Sequence, residues 1–376
     1  MQSIANYNFI MKVNILADPL DFQNAGIHVF TREIIKELQN QNKYNFTIIR
    51  DGRNRKISFE NSILCKEYNL PGYRALRMFV LLPLLNRKLQ PDAVLEPAHF
   101  GPFNLPKHIK RITVIHDLTT LKFPKWHHFH SQMLQRIFLP GILKRADLII
   151  TNSQNTRNDV IKYSPQAKNK TVYIYLGKDK LFKPTFNRSV LELYGINKPF
   201  FLYVGTIEPR KNLITLLDAY ERFRIQDNQK YQLIIVGGKG WKSGEFYKRL
   251  NKHPFKTDII LPGYVTREEL PIFYSEAEAF IYPSFYEGFG FPLLEALACG
   301  APCITSNTSS LPEVGGNAAL YFNPGSSDQL YKKMLLIISD HDFKMKIKDL
   351  AIEQAKIFSW EKYVKELIRI IEERFD

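Results

Sequence analysis

The sequence predicts an α/β protein made of two consecutive doubly wound domains, each a parallel sheet covered by helices, and three observations carry that prediction. A chain of 376 residues exceeds what one hydrophobic core ordinarily holds, so two domains of ordinary size are expected. Short apolar runs alternate with amphipathic stretches along the whole length, which is the pattern of parallel strands joined by crossover helices. A polar, Pro/Gly-punctuated seam, Gly177-Lys178-Asp179-Lys180-Leu181-Phe182-Lys183-Pro184, divides one such series from the next.

In the first half, strands are expected at Val13 to Ala17, Phe46 to Arg50, Ala93 to Leu95, Ile112 to His116, Leu148 to Thr151 and Val172 to Tyr175. Between the first two lies a helix whose Ile27, Phe30, Ile34, Ile35 and Leu38 share one face. In the second half, strands are expected at Phe200 to Val204, Gln232 to Val236, Ile259 to Leu261, Ala279 to Tyr282, Cys303 to Ser306 and Ala319 to Phe322. From Phe358-Ser359-Trp360 onward a helix carries Tyr363, Leu367 and Ile371 on one face, and its periodicity does not say which domain it packs on. The domains are set at 1–182 and 183–357, with 358–376 as a terminal helix. Doubly wound domains bind ligand at the carboxyl ends of their strands, so two facing each other would enclose one central cleft.

Composition narrows the function classes. The first 182 residues hold 27 Lys and Arg against 13 Asp and Glu, or +14, whereas the remainder holds 25 against 24, or +1. The first half is therefore expected to meet something anionic, whether a phospholipid surface, a lipid pyrophosphate, a polyanionic glycan or nucleic acid. Nucleic acid fits poorly, because no basic region with interleaved stacking aromatics is evident. The longest apolar run, Met78 to Leu85, falls far short of the ~20 residues a membrane span needs and contains Pro83. The N-terminal residues lack a basic start, an apolar stretch and a cleavage site, so no signal peptide is expected, and the cytoplasm is the natural compartment. Met11 opens the first strand naturally, and residues 1–10 are assigned no role. Cys65, Cys299 and Cys303 read as buried thiols, neither a disulfide framework nor a metal pair.

The segment Tyr286-Glu287-Gly288-Phe289-Gly290-Phe291-Pro292-Leu293-Leu294-Glu295 places two carboxylates eight positions apart around a Gly-rich helix start. Pro292 suits the first helical position and Gly300 the left-handed residue after a short helix. The N–H groups of the Gly288 to Phe291 loop and the helix start would then form an anion site at the positive end of the helix dipole. Glu295, roughly 5 Å further along the axis, suits sugar hydroxyls better than phosphate. Taken singly, Glu295 reads rather as a dipole-compensating acid and Glu287 as a solvated loop residue.

The whole arrangement resembles the E-x7-E motif of the retaining GT-B glycosyltransferases of family 4. The resemblance extends from Met11 to the end and implies the GT-B fold, two Rossmann-like domains about a cleft. It implies a donor-sugar contact for Glu287, a ribose contact for Glu295, and phosphate and sugar contacts for the Gly288, Phe289, Gly290 and Phe291 backbone. It also implies that the terminal helix crosses back to the first domain.

A second block, Gly205-Thr206-Ile207-Glu208-Pro209-Arg210-Lys211-Asn212, matches the family's G-x-x-x-x-(R/K)-K-(G/N) segment at a strand's carboxyl end. Two cations there can stabilise a departing nucleoside diphosphate without a metal, whereas an Arg-Lys pair taken alone is more often a surface feature. Some members carry a further Arg near Gly205; this chain does not, which throws more of the clamp onto Arg210 and Lys211. His116-Asp117 ends a buried-looking strand. Many family members have a His there facing the donor sugar, and the resemblance carries that role to His116; otherwise the two would form a structural hydrogen-bonding pair.

Weaker signals remain. Gly26, opening the first helix, allows a backbone approach to an acceptor or phosphate, or is a turn. Val236-Gly237-Gly238-Lys239-Gly240-Trp241 lines the nucleotide side or is a flexible turn. His127, His128 and His130 share no obvious face for a metal, and Asp340-His341-Asp342 reads as a helix cap rather than the D-x-D of a metal-dependent transferase. Tyr73 to Leu82, with Arg87 and Lys88, reads as a peripheral membrane contact or as a domain helix with a charged edge.

The resemblance thus implies a retaining, metal-independent hexosyltransferase without cofactors. It would use a nucleoside-diphosphate sugar, first GDP-mannose, and a glycan or lipid-linked acceptor, in the cytoplasm or at the inner face of the cytoplasmic membrane. The alternatives are a UDP-sugar-dependent transferase and a non-catalytic protein that binds nucleotide sugar or polyanion.

Overall fold

The computed structural model describes residues 11–22, 26–41, 45–54, 59–98, 101, 104–126, 129–226 and 231–375. The chain divides into two compact units, one of Met1–Leu121, Phe129–Tyr175 and Trp360–Asp376, the other of Lys122–His128 and Leu176–Ser359. The division at Tyr175 precedes the Phe182 boundary drawn from sequence, and a short stretch of the first half goes with the second unit.

The first unit is built on seven parallel strands: β1 (Lys12–Leu16), β2 (Asn45–Arg50), β3 (Ser62–Leu64), β4 (Ala93–Glu96), β5 (Lys110–Ile115), β6 (Leu148–Thr151) and β7 (Thr171–Tyr173), in the order β3-β2-β1-β4-β5-β6-β7. The chain runs outward from β1 to β3 and returns on the other side of β1, which sets a switch point between β1 and β4. Six of these strands correspond to the apolar runs in the sequence. The exception is β3, an edge strand of three residues, Ser-Ile-Leu, too short to show a period.

The unit's interior holds an ion pair as well as apolar side chains. Glu96 at the end of β4 meets Arg111 of β5 at 2.6 Å, both side chains almost fully buried, and Thr113 donates to the same carboxylate. Burial raises the Glu96 pKa, opposed by the Arg111 charge and by hydrogen bonds. The helix Trp360–Phe375 lies in this unit, against the helix Gly26–Gln39, with Tyr363, Leu367 and Ile371 buried. Phe30 of the latter helix meets Trp360 and Tyr363 at ring separations of 6.0 and 5.6 Å.

The second unit has six parallel strands: β8 (Phe200–Val204), β9 (Gln232–Val236), β10 (Ile259–Gly263), β11 (Ala279–Tyr282), β12 (Cys303–Ser306) and β13 (Ala319–Phe322), in the order β10-β9-β8-β11-β12-β13. Strands β8, β9 and β11 are buried along their whole length, which is why, apart from Gln232 at the start of β9, they appear in the sequence as apolar runs. The order reverses between β8 and β11, so the loops that follow these two strands open side by side at the crevice where such sheets hold ligands.

Asp340 caps the helix His341–Ala355, its carboxylate accepting the Phe343 N–H at 2.8 Å, as the D-x-D segment was read. Cys299 and Cys303 are buried and Cys65 is half-buried. No described helix is long and apolar enough to cross a membrane.

Candidate active site

Local backbone geometry explains why the β8 loop needs its residue types. Gly205 adopts φ 150°, and a Cβ there would lie 2.7 Å from the Tyr203 hydroxyl. Gly237, after β9, packs against it so closely that a Cβ would stand 2.1 Å from the Gly205 carbonyl oxygen. Gly237-Gly238 is thus a tight backbone seam, with the Gly205 N–H bonded to Val236 and the Ile207 N–H to Gly238.

Pro209–Lys211 form a single 3-10 turn ended by Asn212 at φ 57°. The Asn212 amide donates to the carbonyls of Pro283 (3.0 Å) and Pro324 (2.8 Å), and the Phe285 N–H donates to the Arg210 carbonyl. These bonds fasten the β8 loop to the loops after β11 and β13, and the charged side chains of the β8 and β11 loops meet there.

Arg210 donates through Nη1 to Glu287 Oε2 (2.7 Å) and the Tyr286 carbonyl (2.9 Å), and through Nη2 to Glu208 Oε1 (2.6 Å). Lys211 Nζ donates to Glu287 Oε1 and to the Tyr282 hydroxyl, each at 2.7 Å. Glu208, Lys211 and Glu287 are buried. Glu287 is therefore no solvated loop residue, and Lys211 no surface lysine. Burial raises the Glu287 pKa, but the charges of Arg210 and Lys211 outweigh it and bring the carboxyl down to about 2. Burial pushes Lys211 down, reinforced by Arg210 and opposed by Glu287, and it pushes Glu208 up.

The loop ahead of the next helix is held from below. Ser309 Oγ accepts the Glu287 N–H at 2.9 Å, and Ser310 Oγ donates to the carbonyls of Glu287 (3.0 Å) and Phe289 (2.8 Å). The Phe289 and Gly290 N–H groups meet no acceptor among the described residues. Gly290 is the N-cap, at φ 106°, and the helix runs Phe291–Ala298 with Pro292 in its first turn, one residue earlier than the proline implied. Gly300 takes the expected left-handed conformation at φ 70°. Glu295 lies on this helix, and its Oε2 accepts the Tyr274 hydroxyl at 3.0 Å. Burial, opposed by that hydrogen bond, pushes its pKa up to about 7.

The segment Lys122–Trp126, which belongs to this unit, covers the residues just before Glu287. Phe123 and Trp126 stack at 4.3 Å, Trp126 lies 5.5 Å from Phe285, and Phe123 lies 5.4 Å from Tyr286. The Trp241 indole N–H donates to the Trp126 carbonyl, so the turn after β9 is tied to this aromatic layer.

The structure thus brings together Gly205, Arg210, Lys211, Glu287, Gly288, Phe289, Gly290, Phe291 and Glu295 in one unit. Gly26 and His116 belong to the other. His116 follows directly on β5, half-buried; a carbonyl only accepts, so its Nε2–H donates to Pro97 O at 2.7 Å. Phe30, one turn along the helix that Gly26 opens, packs edge-on to its ring at 5.0 Å. Burial lowers the His116 pKa, which keeps the ring neutral near pH 7 with Nδ1 as the accepting atom. The hydrogen bonds of Asp117 go to Thr119 N–H (3.0 Å) and Oγ1 (2.6 Å), so His116 and Asp117 serve different partners. His127 and His128 lie outside the described residues, as does the side chain of His130. Among the described residues no three His, Cys, Asp or Glu side chains stand together as a metal site would require.

Residues 25–180 match the family described as Glycosyltransferase Family 4, and residues 192–354 match Glycosyl transferases group 1. O-antigen chain mannosyltransferase B of Escherichia coli is 30% identical over 377 residues, covering 93% of this chain and 97% of that protein. The chain belongs to the group 1, family 4 glycosyltransferases. Among other relatives of this glycosyltransferase, O-antigen chain mannosyltransferase RfbU of Salmonella typhimurium is 29% identical over 210 residues, 56% of each chain. The fold is GT-B: sucrose-phosphate synthase from Thermosynechococcus elongatus superposes with a TM-score of 0.78 at 20% identity, over 97% of this chain and 99% of that one. Anabaena HepE, solved in complex with UDP and glucose, gives 0.73 at 18% identity over 96% and 99%.

Sequence reasoning passed over several residues that shape this glycosyltransferase's candidate site. Glu208 and Asn212 stood inside the quoted β8 block, yet only their partners reveal what they do. Tyr282, Ser309 and Ser310 carried no local signal, since their contacts come from strand order.

Proposed function

We propose that this glycosyltransferase moves a hexose from a nucleoside-diphosphate sugar to a hydroxyl of a glycan or lipid-linked acceptor in surface-polysaccharide synthesis, with retention and without a metal. GDP-mannose is the first donor candidate. The observation that carries the reading is the meeting of Arg210, Lys211 and Glu287 at the β8/β11 switch point, beside the Gly290-capped helix. As the sugar bond breaks, negative charge grows on the departing diphosphate. Arg210, Lys211 and the Phe289 and Gly290 N–H groups are the donors for that charge. Glu287 takes the sugar hydroxyls and Glu295 the ribose. The second unit is assigned the donor and the first the acceptor; from the first unit Gly26 is assigned a backbone contact to an acceptor or phosphate, and His116 Nδ1 accepts a hydrogen bond from a donor-sugar hydroxyl or at the reaction centre. The departing phosphate oxygen can itself take the acceptor's proton.

Mannose is supported by the E. coli and Salmonella relatives, which are named as mannosyltransferases. The HepE structure with UDP and glucose keeps a UDP-sugar in view. Binding and slow hydrolysis of a panel of GDP- and UDP-sugars, with chelator present, decide the matter. Release of nucleoside diphosphate from one of them is expected, whereas binding without turnover, even with candidate acceptors, would favour a nucleotide-sugar-binding protein.

The lipid-linked acceptor fits a surface of the first unit. Leu76, Val80 and Leu84, four residues apart on the helical stretch Tyr73–Leu89, are exposed and run into the exposed Arg87 and Lys88. Met133 and Ile137 on the helix Phe129–Arg145 are exposed likewise and run into Lys144; Phe79 and Phe138, 6.1 Å apart, join the two helices. Apolar stripes ending in lysine and arginine suit an anionic membrane surface. The double variant Val80→Glu/Ile137→Glu is expected to lose sedimentation with phosphatidylglycerol vesicles while hydrolysing soluble donor normally. Undiminished sedimentation would remove this face from the reading.

A further inference from the structure

The ionised side chains at the β8/β11 crevice form an electroneutral set, Arg210 and Lys211 against Glu208 and Glu287. Every cation–carboxylate distance in the set is 2.6 or 2.7 Å, and Glu287 is bound by both cations at once, one on each oxygen. The diphosphate of a nucleotide sugar adds about two negative charges at neutral pH, and a free nucleoside diphosphate about three. Both cations of the set are committed to carboxylates, so a diphosphate that exchanges its hydration for Arg210 and Lys211 reaches them only if a carboxylate gives way.

The two carboxylates are not equivalent. Glu208 bonds Arg210 alone, through Nη2, and its side chain is 1% exposed. Glu287 occupies both Arg210 Nη1 and Lys211 Nζ, and its side chain keeps 9% exposure. Its backbone is pinned by Ser309 and Ser310, so the side chain can turn without the loop moving. Removing Glu287 from the set frees one donor on each cation, the number two phosphates require. Removing Glu208 frees only one, on Arg210.

We propose that the diphosphate and Glu287 exchange places on Arg210 and Lys211, so that donor binding takes the two cations and thereby releases the Glu287 carboxylate to the sugar hydroxyls. Glu287 thus acts as a specificity-determining residue for the leaving group as well as a sugar contact. Only a ligand able to engage both cations releases it, and until then it holds the clamp charge-compensated. The inference rests on the donor-site reading above.

The test is calorimetric binding of GDP, UDP, GMP and UMP to the wild type, Glu287→Gln and Glu287→Ala, with thermal melting to confirm that each variant is folded. The nucleoside diphosphate that the wild type prefers is expected to bind tenfold or more tighter to both variants, although sugar transfer is lost. A loss of negative charge alone helps each ligand in proportion to its own charge, about three for the diphosphate and about two for the monophosphate at neutral pH, so the exchange predicts a gain for the diphosphate well beyond that ratio. Gains in proportion to ligand charge would overturn the exchange in favour of a field effect. Unchanged or weaker diphosphate binding by folded variants would overturn it and leave the donor site standing. Absence of binding by the wild type and both variants would overturn the donor-site reading and the exchange together.

Discussion

Lys211→Ala is expected to lower sugar-nucleotide turnover by roughly 10²-fold or more, the usual cost of losing one preorganised charge donor. Lys211 is 7% exposed and reaches Glu287 and Tyr282 with a single nitrogen, so its charge is held inside the crevice rather than in solvent. Its removal deletes half of the cationic charge of the clamp and leaves Glu287 to Arg210 alone. The loss is expected mainly in kcat, since charge on the diphosphate grows toward the transition state. Steady-state kinetics on the preferred donor check this, with the melting temperature measured alongside. Near-normal turnover in a folded variant would remove Lys211 from the clamp.

Glu295→Gln is expected to weaken sugar-nucleotide binding by about 10- to 100-fold, in line with the ~1.5–3 kcal/mol of a hydrogen bond to a charged group, and to flatten its pH dependence. With a pKa of about 7, the Glu295 carboxyl is largely protonated at pH 6 and ionised at pH 8, and only the ionised form accepts fully from ribose hydroxyls. Wild-type affinity should therefore rise through pH 7. An intact sugar nucleotide is the proper ligand, because its phosphates do not titrate there. Stability moves the other way. The folded state keeps a proton that the unfolded chain releases near pH 4.5, so stability is lost as pH rises from about 4.5 through 7 and is level above. The slope is bounded by about 1.4 kcal/mol per pH unit and is reduced by the solvent access the side chain retains. Glu295→Gln should consequently melt higher than the wild type at pH 8 and not at pH 4.5. A pH-independent wild-type affinity would argue against the ribose contact, and equal melting curves at pH 8 against the raised pKa.

Much of the fold was legible because parallel strands buried on both faces are written as continuous apolar runs. Phe200–Val204, Gln232–Val236, Ala279–Tyr282, Cys303–Ser306 and Ala319–Phe322 have the bounds that their composition implied. Ser62–Leu64 was illegible because an edge strand of three residues buries too little to need a pattern. In the candidate site, Pro292 and Gly300 marked the short helix through local backbone preference alone. The state of its charges was not legible in the same way. The Arg-Lys pair and Glu287 are 76 residues apart from Lys211 to Glu287, and no local rule says that they neutralise one another.

By itself, then, the sequence determined what depends on near neighbours: which segments form strands, where helices start and stop, and which segments carry cations and carboxylates. Tertiary structure alone decided which of these segments meet. The order β10-β9-β8-β11-β12-β13 puts the loops after β8 and β11 side by side. Burial in that crevice, where charges are poorly solvated, makes a carboxylate and two cations into a single unit that neither segment could specify alone.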